Sequence, residues 1–113
     1  MTRVVLTRRA EDELRSIWRA IAEENEPAAD RILSAISDKL DLLALHPRLG
    51  SRRPDIRPTA RMLVEGHYLV LYETHPDRDD GPIDWVEVVS IVDGRRDLSE
   101  IFLAFLSERR IMP

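Results

Sequence analysis

The first quarter of the chain changes from a strand-like pattern to a helical one. Residues 3 to 7, RVVLT, are rich in β-branched side chains, which favours a strand. Apolar residues then recur on one face of a helix, at Ala10, Leu14, Ile17, Trp18 and Ile21. Thr7 stands where a helix cap is expected, and Glu11, Asp12 and Glu13 are expected to form a solvated helix start that suits the helix dipole. The pattern therefore predicts a strand followed by an amphipathic helix.

A second helical pattern begins after the sequence EENEP. Asn25 or Glu26 is a suitable cap, and Pro27 fits the first turn, where its missing N–H has no helical partner to lose. The apolar face of this helix consists of Ala29, Ile32, Leu33, Ile36, Leu40 and Leu43. Pro47 and Gly50 then end the pattern. Two amphipathic helices joined by a short turn form a helical hairpin.

The second half of the chain has the pattern of strands. Residues 61 to 74 alternate with a period of two on either side of Glu65 and Gly66, which is typical of two strands joined by a tight turn. Residues 83 to 92 end as a nearly continuous apolar run, which indicates a strand buried on both faces. We expect these three strands to form an antiparallel meander. The N-terminal strand must join them, because an isolated strand leaves its backbone groups unpaired.

The predicted order of elements is β-α-α-β-β-β, in a two-layer α+β fold with the N-terminal helical hairpin packed on an antiparallel sheet. The length of 113 residues, with no linker-like stretch, predicts a single domain over residues 1–113. A last apolar stripe at helical spacing consists of Leu98, Ile101, Phe102, Phe105 and Leu106. It predicts a C-terminal helix, and the pattern leaves open whether that helix packs on its own sheet or on a partner.

Composition narrows the class of protein. Hydrophobic residues make up 43% of the chain and charged residues 34%, which is typical of a folded globular protein. The chain has no cysteine, which excludes disulfides and thiolate metal sites, and we expect no metal and no cofactor. No apolar run approaches the roughly 18 residues of a membrane helix, and the N-terminus does not have the pattern of a signal peptide. We therefore expect a cytoplasmic protein without a membrane partner.

The distribution of charge along the chain is more informative about binding partners than the net charge of −4. Arginines cluster between residues 46 and 67, and acidic residues dominate the segment from 68 to 94. An acidic chain disfavours direct nucleic-acid binding, because summed contacts of basic residues to phosphates supply that affinity. The charge distribution is still compatible with a local arginine site that binds one acidic partner. Arg95 and Arg96, which follow the last predicted strand, are the foremost candidates.

Four segments, in their order and spacing, resemble one known family over nearly the whole chain. They are VLTRRAEDELRSIWRAIAEEN, AADRILSAISDKLDLLALHPRLGSRRP, RMLVEGHYLVLYE and VEVVSIVDGRRD. Together they resemble the ParE toxins of bacterial type II toxin–antitoxin pairs, within the wider RelE/ParE superfamily. The resemblance implies a toxin that blocks DNA gyrase by binding. It also implies a ParD-like antitoxin, in which a DNA-binding N-terminal dimer carries a flexible tail that wraps the toxin.

One departure from the superfamily pattern bears on mechanism. Asp93 precedes Gly94, where many relatives have histidine. The ribonuclease branch of the superfamily cuts mRNA on the ribosome, and such cleavage needs a group that moves a proton. No histidine or lysine stands at this motif, and His46, His67 and His75 are each expected as exposed polar residues. The sequence therefore favours a binding toxin over an enzyme.

Two alternatives stay open. The first is a ribosome-dependent mRNA endonuclease of the RelE kind. The second is a toxin-fold binding module without toxicity, which serves in a repressor complex. Both share the fold and the antitoxin partner with the gyrase inhibitor, so only activity separates them.

The residues expected to bind the target or the antitoxin are Arg61, Arg95 and Arg96, with Tyr68 and Tyr72 as secondary candidates. None of them is expected to be catalytic.

A structural role is the competing interpretation for the arginines. One of Arg95 and Arg96 would then pair with Asp93, with Asp97 or with a carboxylate of the helical hairpin, and Arg61 would form a salt bridge at the rim of the sheet.

Overall fold

A computed structural model of the protein describes residues 1–96. The elements are β1 (Arg3–Leu6), α1 (Arg8–Ala22), α2 (Glu26–Leu45), β2 (Ser51–Arg52), β3 (Arg61–Glu65), β4 (Tyr68–His75) and β5 (Trp85–Asp93). The α+β class and the order of the predicted elements are confirmed. The predicted C-terminal helix lies outside the described residues. Within residues 1–96, neither helix has both the length and the apolar character that a membrane span requires.

Both predicted helices begin at the caps that the sequence indicates. The Thr7 hydroxyl accepts a hydrogen bond from the Ala10 N–H at 3.1 Å. The Asn25 side chain accepts one from the Ala28 N–H at 3.1 Å, and Pro27 lies in the first turn of α2. Each cap satisfies a backbone N–H that has no partner inside its helix.

The five strands form one sheet in the order β1-β5-β4-β3-β2. The predicted meander of β3, β4 and β5 is antiparallel. The sheet as a whole is mixed rather than antiparallel, because β1 pairs with β5 in parallel, with Val4 opposite Val86. A short turn forces neighbouring strands to run antiparallel, but β1 reaches β5 only through the rest of the chain, so no turn sets its direction.

Two short features complete the sheet. Gly66 and His67 form the turn between β3 and β4, where Glu65 pairs with Tyr68 and Gly66 has a φ of 60°. Glycine adopts this positive φ at little cost, which suits a tight hairpin. Strand β2 lies between α2 and β3, where the sequence pattern predicted no strand, and adds only two residues at the edge of the sheet.

The centre of the sheet is buried on both faces. The helical hairpin covers one face, where Ile36 and Leu43 of the helices and Val88 of β5 are fully buried. The segment between β2 and β3 covers part of the other face with Ile56 and Ala60. Strands β4 and β5 therefore lie inside the molecule, as the apolar run in residues 83 to 92 predicts.

Candidate functional site

A groove of about 600 Å³ lies between α1 and the ends of β4 and β5. Its apolar lining consists of Ile17, Ala20, Ile21, Tyr68, Ile91 and Val92. Its charged residues are Asp12, Glu13, Glu24, Asp93, Arg95 and Arg96. The groove thus brings together three of the five residues predicted to bind a partner, namely Tyr68, Arg95 and Arg96.

The turn after β5 places the two arginines beside the groove. The Gly94 N–H donates to the His67 carbonyl, with 2.6 Å between the nitrogen and the oxygen. A Cβ at position 94 would lie 3.1 Å from the His67 carbonyl oxygen and 3.1 Å from Leu69 Cγ. Glycine therefore lets the end of β5 pack closely against the β3–β4 turn. The Arg96 N–H then donates to the Asp93 carbonyl at 3.1 Å and closes the turn.

Arg95 is ion-paired and exposed at the same time. Its Nη2 lies 2.6 Å from Asp93 Oδ2, and its Nε lies 3.0 Å from Asp93 Oδ1. Hydrogen bonds from the Arg95 side chain, and from its backbone N–H, lower the pKa of Asp93 to about 2. The Arg95 side chain nevertheless stays 62% exposed. The structural interpretation of the arginine pair is therefore confirmed for Arg95, and its exposure leaves it able to contact a partner.

Glu13 contacts β5, so the prediction that it belongs to a solvated helix start is wrong. Instead of standing in solvent, its carboxylate accepts hydrogen bonds from the Ser90 hydroxyl at 2.8 Å and from the Ile91 N–H at 3.1 Å. Burial raises the pKa of Glu13, while these hydrogen bonds and the charges of Arg9 and Arg96 act in the opposite direction. Helical spacing carried the signal, because Glu13 lies three residues after Ala10 and so on the apolar face of α1.

Arg61 and Tyr72 lie away from the groove. The Arg61 side chain is only 6% exposed, and its Nη2 lies 3.2 Å from Asp79 Oδ1, so its predicted salt bridge is present. The Tyr72 hydroxyl is fully buried, donates to the Pro47 carbonyl at 3.0 Å and accepts from the Gly50 N–H at 2.8 Å. The binding of a partner by Arg61 and Tyr72 is still only a prediction. A partner that contacted them would do so outside the groove.

Carboxylates and carbonyl oxygens already engage much of the arginine cluster between residues 46 and 67. Arg52 lies 3.0 Å from Asp77 Oδ1 and 2.8 Å from Asp79 Oδ1. Arg48 donates to the backbone carbonyls of Arg78 and Gly81. The basic and acidic segments of the sequence therefore hold two loops together through these contacts. The arginines beside the groove are separate from this network.

Three side chains of metal-ligand type lie on the opposite face of the sheet. Donor atoms of Glu73, His75 and Glu87 lie within 4.8 Å of one another. Tyr72, which precedes Glu73, packs with the helices, and successive strand residues point to opposite faces. This cluster is therefore distinct from the groove beside α1.

Comparisons with known proteins agree with the fold. The family model "ParE toxin of type II toxin-antitoxin system, parDE" matches residues 4–98. Toxin ParE3 of Caulobacter vibrioides is 31% identical over 100 residues, which cover 88% of this chain and 93% of that protein. A solved chain of the chromosomal ParDE TA system from P. aeruginosa has a similar fold, with a TM-score of 0.64 and 20% identity, over 82% of this chain and 96% of that chain. The chain therefore belongs to the ParE toxin family of type II toxin–antitoxin systems.

Proposed function

We propose that this toxin inhibits DNA gyrase by binding it through the surface around Arg95 and Arg96, and that a ParD-like antitoxin neutralises it. Membership of the ParE toxin family supports the toxin role. The similar solved chain belongs to a ParDE system, which supports an antitoxin of the ParD type as the partner.

The observation that carries the proposal is the pair of arginines beside an apolar-lined groove. A guanidinium donates a planar fork of hydrogen bonds to carboxylates, and apolar lining such as Ile17, Ile21 and Tyr68 provides surface for burial. Arginine and tyrosine are enriched among the residues that dominate protein–protein binding energy. A groove of this composition suits a protein segment with apolar and acidic side chains.

The side chains around the arginines favour binding over catalysis. Asp93 has a pKa of about 2 because Arg95 donates hydrogen bonds to it, and so weakly basic a carboxylate is a poor general base near neutral pH. Glu13 is committed to Ser90 and to the backbone of β5. An arginine does not give up its proton under ordinary conditions. These features support a toxin that holds its target.

The antitoxin would act by covering the same surface. A flexible tail that orders on binding covers a large area and matches side chains to grooves along its path. We expect acidic residues of such a tail to meet Arg95 and Arg96, and apolar residues to enter the groove. Neutralisation follows if gyrase and the tail compete for the two arginines.

Binding of purified gyrase to arginine variants tests the proposal. The double variant R95A/R96A should bind gyrase about tenfold more weakly or worse. It should still fold, with a loss of about 1 kcal/mol or less, because the Asp93–Arg95 pair is largely exposed. The matched control R19A/R31A removes the same charge from exposed positions on α1 and α2 and should keep full affinity. Undiminished binding by folded R95A/R96A would rule out this surface.

The alternatives predict other results with the same protein. A ribosome-dependent endonuclease would cut mRNA at defined positions when ribosomes are present and would leave gyrase unbound. A binding module without toxicity would fail to arrest growth when expressed without an antitoxin. Growth arrest that a co-expressed antitoxin relieves would support the proposed pairing.

A further inference from the structure

The cluster of Glu73, His75 and Glu87 arises from the register of two neighbouring strands. Glu73 of β4 lies directly opposite Glu87 of β5, and His75 follows Glu73 on the same face of the sheet. The His75 Nε2 lies 3.0 Å from Glu87 Oε1. The strands therefore hold two carboxylates and one imidazole together at fixed positions.

The charges of this cluster favour a cation. Like charges that lie directly opposite each other on neighbouring strands destabilise a sheet. Glu73 is only 2% exposed, so water screens its charge poorly. Arg57 lies beside the same carboxylate, with its Nε 3.7 Å from Glu73 Oε2. A divalent ion bound between the carboxylates would relieve their repulsion directly.

Neighbouring side chains orient the donor atoms. The Thr59 hydroxyl donates a hydrogen bond to Glu73 Oε2. The Trp85 ring stacks on the His75 ring, with 4.3 Å between the centroids and 17° between the planes. Contacts of this kind around metal ligands fix their orientation and strengthen binding. The side chains of His75 and Glu87 are 33% and 26% exposed, which leaves a path for an ion and for a water ligand.

We propose that Glu73, His75 and Glu87 bind a divalent transition-metal ion, and that Zn²⁺ matches their donor set best. One imidazole and two carboxylates are ligands that Zn²⁺ accepts, with bonds of about 2.0–2.2 Å. Tetrahedral ligands then lie roughly 3.4 Å apart. The His75 Nε2 and Glu87 Oε1 atoms, at 3.0 Å, would open to this spacing. All three donor atoms lie within 4.8 Å of one another, and any wider pair would close to it through side-chain rotation. The site is independent of the proposed gyrase contact.

Zinc titration of the full chain, without a histidine tag and after removal of metal by a chelator, tests the proposal. Calorimetry should detect one Zn²⁺ per chain, and Zn²⁺ should raise the thermal midpoint. The variants H75N and E87Q should each lower the affinity about tenfold or more and abolish the thermal shift. Both side chains are partly exposed, so these variants are expected to fold. The control H67N changes a histidine in the β3–β4 turn, outside the cluster, and should bind like the wild type.

Two results would overturn the proposal. One is no uptake of Zn²⁺ at concentrations in the tens of micromolar. The other is equal affinity in the wild type, H75N and E87Q, which would place the ion elsewhere on the chain. Under either result, the contact between His75 and Glu87 would serve only as a hydrogen bond between the two strands.

Discussion

At the residue scale, the hydroxyl of Tyr72 joins two backbone groups of the segment that follows α2. It donates to the Pro47 carbonyl and accepts from the buried Gly50 N–H. The sequence offered Tyr72 as a contact residue together with Tyr68, within the segment RMLVEGHYLVLYE that resembles the family. Periodicity indicates that successive strand residues point to opposite faces of the sheet. It does not reveal which loop will cover each face.

The substitution Y72F should lower the free energy of unfolding by about 1–3 kcal/mol, because it leaves a buried N–H without its acceptor. Urea denaturation measures the change. The control Y68F removes a hydroxyl that makes no hydrogen bond within the described part of the chain, so it should cost less. Equal losses in the two variants would contradict the structural role given to the Tyr72 hydroxyl.

The ion pair of Asp93 and Arg95 should make the stability of the fold depend on pH in the acid range. The pKa of Asp93 is about 2 in the folded chain, below its ordinary value of 3.8. The ionised carboxylate therefore stabilises the fold above pH 3.8, and this contribution is lost as the pH falls from 3.8 towards 2. D93N should remove that part of the pH dependence in chemical denaturation between pH 2 and 5. D84N, at another exposed carboxyl, is the control and should retain it.

At the element scale, Glu13 connects α1 to β5. Because it binds both the Ser90 hydroxyl and the Ile91 N–H, E13A should lower the free energy of unfolding by about 1–3 kcal/mol. E13Q keeps an acceptor oxygen and should cost less. The control E11A, at an exposed position on the same helix, should change stability by about 0.5 kcal/mol or less. A cost for E13A no larger than that for E11A would show that this connection does not stabilise the fold.

The contribution of Glu13 to the free energy of unfolding should change with pH in the opposite direction to that of Asp93. Burial raises the pKa of Glu13 above its ordinary value of 4.5, so the folded state binds its proton more tightly than the unfolded state does. Stability should therefore fall as the pH rises from 4.5 through the raised pKa. E13Q should remove this decline, and denaturation at several pH values measures it.

The helices and the meander were predictable because their signals are local. Thr7 and Asn25 cap the helices through bonds to residues three positions away, and Gly66 marks its own turn. The parallel direction of β1 was not predictable, because its partner lies more than 80 residues away in sequence. Strand β2 is too short to produce a pattern of its own.

At the scale of the whole molecule, long-range contacts decide which charged residues are buried. Arg61 and Arg95 were both predicted from the sequence to bind a partner. In the structure Arg61 is buried against Asp79, whereas Arg95 is exposed beside the groove. The cluster of Glu73, His75 and Glu87 likewise exists only through the register of β4 and β5. Sequence therefore predicted the fold and named Tyr68, Arg95 and Arg96, which line the groove, but it left open which of the arginines would be buried in an ion pair.

The central claim is that this ParE-family chain acts by binding DNA gyrase. The most direct test is a supercoiling assay with purified gyrase and the toxin prepared without antitoxin. We predict inhibition that increases with toxin concentration. The R95A/R96A variant should inhibit more weakly, and the R19A/R31A variant should inhibit as strongly as the wild type. Full supercoiling activity in the presence of excess folded toxin would contradict the account, and mRNA cleavage on ribosomes would then be the next activity to measure.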